Sequence, residues 1–407
     1  MDRQAGDHGQ SADAGELGAR RKSLARRLQR RLMTNIAAGE TDRADSVMAN
    51  DAAAYTDPRW LAEERSRLFR SLPLVAALSN DLPEPGDRVL FDEAGPPILI
   101  VRGADRKVRA FLNICPHRAA RLVGDCRSGT RMTCPFHGWT FNLSGDLIGQ
   151  PGRAAFEGVD REALGLRPVP VAEWHGLIFV IARAGEEAID VAAYLGDLAP
   201  EIADLQLGDS RFVKRTRLDA QANWKYVLDT FGEGYHVNVL HPDTVGRFVL
   251  FDSVIYDGFG PHHRMSYGSR AMVEDARKPP EQWPEAQLRV IYLLFPNTLI
   301  QTTPLGTGRN DIIYRIYPGV SPDESFTQLE TYRFGGDGNG KADLQPWIDA
   351  HDFQVRVVGT EDYAMAETAQ RSLDYVPPDW RMIYGRNELA LQRFQRHVAA
   401  AIGRQLD

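Results

Sequence analysis

The spacing of apolar and polar positions divides the chain into three stretches. Residues 1–54 are rich in Gly, Asp, Ala and Arg and poor in aromatic residues. Residues 82–182 carry short apolar runs separated by Pro and Gly, which is the pattern of β-strands. Residues 211–407 mix similar runs with longer helical segments. The predicted strands cover residues 98–102, 108–114, 139–143 and 177–182, then 211–218, 289–295 and 311–319.

These patterns predict an α+β protein, because strands and helices do not alternate regularly as in a parallel sheet. We expect an all-β domain at 55–185, led by a helix that Asp57 and Pro58 begin. A domain at 186–407 is expected to contain an antiparallel sheet flanked by helices. Residues 1–54 are expected to form an N-terminal extension that is partly disordered, with its basic stretch 20–31 as a solvated tail.

Composition narrows the partners and the compartment. The 407 residues are 43% hydrophobic, which is enough for two cores. A net charge of −7 argues against a nucleic-acid surface, and no run of 18 apolar residues predicts a membrane helix. The basic stretch is not followed by the apolar region of a signal peptide. With three cysteines and no pairing pattern, the chain is expected in the cytoplasm.

Two of the three cysteines belong to short motifs that also contain histidine. The motifs are Cys115-x-His117 and Cys134-x-x-His137. A tetrahedral Cys₂His₂ zinc site is one possibility for such a set. A Rieske [2Fe–2S] cluster is the other, with two cysteines on one iron and two histidines on the second. The sequence favours the cluster, because each motif supplies one ligand of each kind and can reach both irons. Cys126 is left as a reduced cysteine.

A second possible metal site lies at His236 and His241, which are separated by four residues. Pro242 disfavours helix at His241, so a helix is expected to end there and the two imidazoles can converge. A mononuclear Fe(II) site with open positions needs two histidines and one carboxylate. The spacing alone does not choose the carboxylate among the acidic residues of the last domain: Glu361, Asp362, Glu367 and Asp374.

The two motif regions together resemble the Rieske non-heme iron oxygenases, which include the ring-hydroxylating oxygenases. The resemblance rests on CPHRAARL and CPFHGWTFNLSGDL, then on NWK…DTFGEGYHxxxxH and EDxxxxExxQ, and spans about residues 55–375. It implies a cluster held by Cys115, His117, Cys134 and His137. It also implies a mononuclear Fe(II) held by His236, His241 and Asp362. Ala120 and Phe136 stand where respiratory Rieske proteins have disulfide cysteines, which is typical of the oxygenase type.

The resemblance also implies roles for two further acids. Glu233 stands where the family usually has an aspartate that links a cluster histidine of one subunit to an iron histidine of the next. The longer glutamate resembles a minority branch that includes oxygenases of quaternary ammonium compounds. Asp229 stands where many dioxygenases have an asparagine near the iron. A link of this kind between the cluster of one subunit and the iron of the next implies a homotrimer. The resemblance also implies that this homotrimer receives electrons from an NAD(P)H-dependent reductase, with or without a ferredoxin. No GxGxxG follows a predicted strand, so the chain is not expected to bind NAD(P)H itself.

The substrate is the least specified property. An aromatic or other hydrophobic small molecule is the first expectation, since residues 289–304 supply apolar side chains. A quaternary ammonium compound is the alternative, held by cation–π contacts with Tyr292 or Trp347. A Rieske electron carrier without oxygenase activity is the alternative of another class, and the large second domain argues against it. The glycine-rich segment 335–341 is expected to be a surface turn, because Ala342 replaces the Ser or Thr of a phosphate-binding loop.

Overall fold

The computed structural model describes residues 14–126, 128–284, 288–335 and 343–406. Within these ranges, no helix is long and apolar enough to cross a membrane. Gly335 ends a strand, while the remainder of the predicted glycine-rich turn lies outside the described residues.

Short antiparallel strands build the first half of the chain. They form one four-stranded sheet in the order β3-β4-β5-β9 and two three-stranded sheets, β6-β7-β8 and β10-β11-β2. The strands are β1 (Met48–Asp51), β2 (Leu74–Leu78), β3 (Arg88–Phe91), β4 (Ile98–Arg102), β5 (Val108–Leu112), β6 (Met132–Thr133), β7 (Thr140–Phe141), β8 (Leu147–Gly149), β9 (Pro168–Val169), β10 (Val171–Trp174) and β11 (Leu177–Val180). All four strands predicted in this half are present, although the one predicted at 139–143 is only two residues long.

A seven-stranded antiparallel sheet dominates the second half. Its order is β12-β18-β17-β16-β15-β14-β13, and β19 pairs separately with β1. These strands are β12 (Arg211–Ala220), β13 (Val249–Phe259), β14 (His262–Ser269), β15 (Val290–Leu294), β16 (Thr298–Leu305), β17 (Gly308–Pro318), β18 (Ser325–Gly335) and β19 (Arg381–Tyr384). The predicted α+β class, with an antiparallel sheet in the second half, is therefore confirmed.

Helices flank this sheet, and the ends of helical segments position His236, His241 and Asp362. The helices are α1 (Ala14–Ala38), α2 (Ala53–Thr56), α3 (Pro58–Glu64), α4 (Val191–Leu195), α5 (Ala199–Asp204), α6 (Trp224–Asp229), α7 (Val237–Leu240), α8 (Met272–Asp275), α9 (Gln345–Val357), α10 (Tyr363–Ser372) and α11 (Leu389–Ala401). π-helical turns occupy Arg65–Phe69 and Val358–Asp362. Short 3₁₀ turns occupy Ser79–Asp81, Arg153–Phe156, Glu162–Leu164, Gly196–Leu198, Leu207–Asp209, Val245–Arg247, Pro280–Gln282 and Leu373–Tyr375.

The predicted leading helix, α3, is tied directly to the helix that precedes the histidine pair. Asp57 caps α3 by accepting from the Arg59 N–H at 2.8 Å. At the other end of α3, Glu64 accepts from Trp224 Nε1 at 2.7 Å and from Lys225 Nζ at 2.5 Å. Both members of the Lys225–Glu64 pair are fully buried. Removing one partner of such a pair costs about 3–5 kcal/mol, so this contact holds α3 against the first turn of α6.

The expectation of a solvated basic tail at residues 20–31 is wrong, because this stretch lies in α1. Leu28, Leu32 and Met33 are buried there in a cluster that includes residues of α5 and of the large sheet. Arg31 forms ion pairs with Asp42 at 2.8 Å and Asp257 at 2.6 Å. The composition suggested disorder, but apolar residues at helical spacing give α1 a buried face.

Candidate functional site

The two predicted cluster loops have the same backbone hydrogen bonds. The N–H of Cys115 donates to the carbonyl five residues on at 2.8 Å, and the N–H of Cys134 does the same at 2.7 Å. Each cysteine carbonyl accepts from the residue four positions on, at 3.0 Å in both loops. That residue has a left-handed backbone, with φ of 59° at Ala119 and 72° at Gly138. Gly138 suits this conformation, whereas Ala119 was not recognisable from its residue type.

The side chains of these loops point into one small region. Cys115 and Cys134 are buried, and burial raises the pKa of the Cys115 thiol, as does the adjacent Cys134 thiol. The rings of His117 and His137 are 4.6 Å apart at 73°, and His117 stacks on Trp139 at 4.8 Å. Nδ1 of His137 is buried and has no hydrogen-bond partner. A buried imidazole nitrogen without a partner suits a metal ligand, so the residues present fit an iron–sulfur cluster.

A single zinc ion fits these four residues less well. One tetrahedral ion would bring all four ligand atoms close to one another. Among the described residues, however, the one group of three or more His, Cys, Asp or Glu whose ligand atoms all lie within 4.8 Å is a different group: His236, His241 and Asp362. Cysteines and histidines that approach from two loops without meeting at one point suit a cluster with two metal atoms.

The second group comes from two parts of the chain more than a hundred residues apart. Nε2 of His241 lies 3.1 Å from Oδ1 of Asp362, and Nε2 of His236 lies 3.4 Å from the same oxygen. His236 immediately precedes the short helix α7, and His241 ends it, as Pro242 predicts. Asp362 is the last residue of the π-helical turn between α9 and α10. Such a turn inserts an extra residue into a helix and is frequent at functional sites.

A glutamate holds the outer nitrogen of each of these histidines. Glu233 contacts Nδ1 of His236 and also accepts from the His236 N–H at 3.2 Å. Glu361 is 2.5 Å from Nδ1 of His241 and accepts from the Thr244 hydroxyl at 2.8 Å. With Nδ1–H donated outward, each Nε2 is available toward Asp362. The sequence offered Glu361 as an alternative ligand, and its position beside His241 was not predicted.

The charge of this group favours a cation. Burial opposes protonation of His236, but hydrogen bonds to Asp362 and Glu233 raise its pKa to about 10. The pKa of His241 is raised in the same way, by Asp362 and Glu361 against the effect of burial. Three carboxylates thus surround two imidazoles, and a divalent metal ion would balance them. The donor set therefore fits an Fe(II) ion.

The other two acidic competitors lie away from this group. Glu367 accepts from the Gln221 N–H at 3.1 Å, and Asp374 is exposed.

Asp229 lies near the histidines without contacting them in the structure. It accepts from the Tyr55 hydroxyl at 2.6 Å and from the Gln395 amide at 2.9 Å. Tyr384 in turn contacts the Tyr55 hydroxyl. Burial raises the pKa of Asp229 to about 7, against the lowering effect of Tyr55 and Gln395. Asp229 thus belongs to a buried network of two phenols and an amide behind the iron group, and that network could not be found from sequence spacing.

Two pockets meet at the three-residue group. The larger pocket has a volume of about 250 Å³. It is lined by Asp229, Glu233 and His236 together with Tyr55, Tyr226 and Tyr384. The smaller, of about 70 Å³, contains all three members of the group. Its other walls are Phe231, Tyr267, Arg289, Gln301 and apolar side chains that include Ile291, Val245, Val249, Val357 and Val358.

The aromatic residues predicted to hold a cation lie elsewhere. Tyr292 is buried in the cluster that packs against α1, and Trp347 lies under the guanidinium of Arg333 at 4.7 Å. Ile291 does line the smaller pocket, whereas its strand neighbour Leu293 is core. The side chains of a strand alternate between its two faces, and Tyr292 points away from the pocket that Ile291 lines.

Two family models match the chain. Residues 73–170 match the Rieske [2Fe-2S] domain, and residues 207–404 match the ring hydroxylating alpha subunit catalytic domain. Among curated proteins, the carnitine monooxygenase oxygenase subunit of Escherichia coli (strain K12) is 29% identical over 333 residues, which are 79% of this chain and 83% of that protein. The glycine betaine monooxygenase oxygenase subunit of Chromohalobacter salexigens is 31% identical over 49% of this chain and 44% of its own length.

Solved structures share the fold along most of the chain. A quaternary ammonium Rieske monooxygenase in complex with L-carnitine has a TM-score of 0.74 and 22% identity, covering 88% of this chain and 96% of the other. A naphthalene 1,2-dioxygenase from Rhodococcus sp. has a TM-score of 0.71 and 20% identity, covering 93% and 98%.

Proposed function

The chain belongs to the Rieske non-heme iron oxygenases, and from this premise we propose that it oxidises a quaternary ammonium compound. The family consists of oxidoreductases with a [2Fe–2S] cluster and a mononuclear iron, which take electrons from a reductase and use O₂ on small molecules. The similarity to a carnitine monooxygenase subunit over 79% of the chain carries this proposal. It replaces the expectation of an aromatic hydrocarbon, which these relatives do not support.

The composition of the smaller pocket supports a cationic substrate. Phe231 and Tyr267 offer aromatic rings, and Glu233 offers a carboxylate beside the histidines. Aromatic faces and a nearby negative charge are the groups that stabilise a quaternary ammonium, which has no hydrogen to donate. A hydrocarbon would contact the rings but would bring no positive charge to the side of the pocket where Glu233 lies.

For the metals, we propose the ligands that the sequence predicts. Cys115, His117, Cys134 and His137 would hold the cluster, and His236, His241 and Asp362 would hold the iron. When bound, these groups supply one-electron transfer and activation of O₂. One oxygen atom of O₂ would enter a C–H bond of the substrate and the other would leave as water, with two electrons from the reductase and two protons from solvent. If the hydroxylated carbon is bonded to the ammonium nitrogen, the product separates into an amine and a carbonyl compound.

We propose orienting roles for the acids around the iron ligands. Glu233 and Glu361 accept hydrogen bonds from the Nδ1–H groups of His236 and His241. The proton therefore stays on Nδ1 of each ring, and both Nε2 atoms face the metal position. Glu233 would also connect to a cluster histidine of a neighbouring subunit. Asp229 is hydrogen-bonded to Tyr55 and Gln395, and this network positions the chain segment that leads from Asp229 to Glu233.

The assembly that we propose is a homotrimer, in which the cluster of one subunit faces the iron side of the next. Exposed apolar residues occur at both places: Phe136 at the cluster loop is 57% exposed, and Val239 beside the histidines is 85% exposed. Apolar groups of this kind suit a subunit contact. The partner would be an NAD(P)H-dependent reductase, with or without a ferredoxin, in the cytoplasm. The division that we propose is an extension at 1–54, a cluster domain at 55–185 and a catalytic domain at 186–407.

The test of this proposal is substrate-dependent O₂ uptake by iron-loaded protein with a surrogate reductase. L-carnitine, glycine betaine, choline and naphthalene would be compared, and the amine or hydroxylated product identified by mass spectrometry. We expect uptake and product with at least one quaternary ammonium compound. Uptake with naphthalene alone would contradict the proposal.

A further inference from the structure

Arg289, which has no acidic partner among the described residues, lines the pocket beside the iron group. Arg289 immediately precedes β15, and its carbonyl accepts from the Ser266 hydroxyl at 2.7 Å, which fixes its backbone to the neighbouring strand. Its side chain lines the same small pocket as His236, His241 and Asp362. Among the described residues, Arg289 makes no ion pair, and the groups that raise its pKa are the phenols of Tyr267 and Tyr314, not a carboxylate.

Such an arrangement is unusual for arginine. Charged side chains away from water are normally paired, because an unpaired charge loses its hydration without compensation. Most of the buried arginines in the described part of the chain follow that rule: Arg315 is paired with Glu330 at 2.6 Å, and Arg264 with Asp257 at 2.6 Å. Arg289, which is partly exposed, has no such pair there. Burial lowers the pKa of Arg289, which is the direction expected for a cation that still lacks its counter-charge.

Two further groups near Arg289 have unused hydrogen-bonding capacity. The ring of Tyr314 lies 4.8 Å from that of Phe231, which lines the pocket, and the buried Tyr314 hydroxyl has no hydrogen-bond partner. Gln301 lines the pocket opposite Ile291 in the strand register, and its side-chain amide makes no hydrogen bond in the described part of the chain. A guanidinium, a phenol and an amide NH₂ can each donate a hydrogen bond to an anion. Arg289 and Gln301 line the pocket itself, and Tyr314 adds a donor next to them.

We propose that Arg289, with Gln301 and Tyr314, binds a carboxylate of the substrate, so that the substrate is a zwitterion carrying both a quaternary ammonium and a carboxylate. The inference rests on the proposed function, because it takes this pocket to be the substrate pocket. The carboxylate is held at Arg289, and the ammonium lies toward the rings and Glu233. Two fixed ends determine which carbon faces the metal position. Arg289 is thereby a specificity-determining residue.

The sharpest test changes the ligand and leaves the protein intact. Iron-loaded enzyme, kept free of O₂, is titrated calorimetrically with glycine betaine and with choline, and with γ-butyrobetaine and its methyl ester. Each acid is expected to bind about 10- to 100-fold more tightly than its partner without a carboxylate, because charge-assisted hydrogen bonds are lost. Equal affinities within both pairs would overturn the inference.

Variants then locate the effect. Arg289→Met should remove the preference for the acid and leave the affinity for choline and for the ester unchanged. Tyr314→Phe, which deletes only the hydroxyl, should reduce the preference several-fold. Arg277→Met, which removes one exposed positive charge outside the pocket, is the matched control and should keep the full preference. If Arg289→Met weakened acid and ester equally, Arg289 would be structural and the inference wrong.

Turnover separates this inference from the proposed function. If choline were oxidised as well as glycine betaine, quaternary ammonium oxidation would stand and the carboxylate site would be refuted. If benzoate were oxidised in an Arg289-dependent manner and no ammonium compound were, the carboxylate site would stand and the proposed substrate class would be refuted. Binding of none of these ligands would refute both.

Discussion

The two metal-binding regions of this chain treat their histidines in opposite ways. In the catalytic half, each of His236 and His241 has its outer nitrogen held by a glutamate of the same chain. In the cluster loops, neither His117 nor His137 makes a side-chain hydrogen bond to any residue that the structure describes. Both rings are partly exposed, and the exposed ring of Phe136 lies 3.8 Å from that of His137.

This difference indicates which region is complete within one chain. Metal-bound histidines usually donate their second N–H to a carboxylate or a carbonyl, which fixes the ring and tunes the metal. The iron group has such partners within the chain, whereas His117 and His137 have none among the residues that the structure describes. A partner from another subunit would complete the cluster site, which is why the difference supports an oligomer in which cluster and iron come from different chains.

Exchanging one histidine in each region gives the largest expected effects. His236→Ala should reduce substrate-dependent O₂ uptake by more than about 100-fold, since loss of a ligand exceeds the 10- to 100-fold cost of losing a partner of a ligand. Its visible cluster spectrum should persist, and its iron content should fall by about a third. His137→Ala should lose the spectrum instead. Loss of the spectrum in His236→Ala would contradict the assignment of two separate sites.

The two glutamates are expected to differ in one respect. Glu361→Gln and Glu233→Gln should each weaken iron binding or activity by about 10- to 100-fold, because each removes the negative charge that faces one Nδ1–H. Only Glu233→Gln should also slow oxidation of the reduced cluster in a stopped-flow single turnover, if Glu233 connects to the neighbouring subunit. Equal cluster oxidation rates in the two iron-loaded variants would contradict a role of Glu233 in connecting the two subunits.

The Asp229 network predicts a pH effect on stability. Burial raises the pKa of Asp229 to about 7 in the folded protein, well above its ordinary value of 3.8. Between these values the folded state holds a proton that the unfolded state has released, so this group makes folding less favourable as pH rises from about 4 to 7. Asp229→Asn should remove that contribution. Urea denaturation across this pH range should therefore show a smaller decline in the free energy of unfolding for the variant than for the unmodified protein. An identical decline would contradict the raised pKa of Asp229.

The smallest effect concerns the hydroxyl that supports Glu361. Thr244→Val deletes a hydrogen bond of 2.8 Å to that carboxylate and keeps the shape of the side chain. A net loss of about 1 kcal/mol corresponds to about a fivefold lower affinity for Fe(II). Thr368→Val, at an exposed position of α10, is the control and should leave the affinity unchanged. A similar change in both variants would show that Thr244 does not act through Glu361.

What the sequence could predict follows the same division between the regions. Cys115, His117, Cys134 and His137 lie in two short loops, so local spacing was enough to identify them. Asp362 lies more than a hundred residues from His236, and local spacing left four acids open until the family resemblance selected one. Glu361 beside His241, and Gln395 beside Asp229, depend on how distant helices pack, which no local pattern encodes. The buried face of α1 was missed because composition outweighed its helical spacing.

Subunit complementation tests the central claim most directly. His137→Ala, which lacks the cluster, and His236→Ala, which lacks the iron, would be co-expressed with different tags, and mixed oligomers purified through both. If the cluster of one chain serves the iron of its neighbour, the mixed oligomers regain substrate-dependent O₂ uptake while each variant alone is inactive. If each cluster serves the iron of its own chain, no subunit of the mixture has both sites intact. Mixed oligomers as inactive as the separate variants would contradict the account.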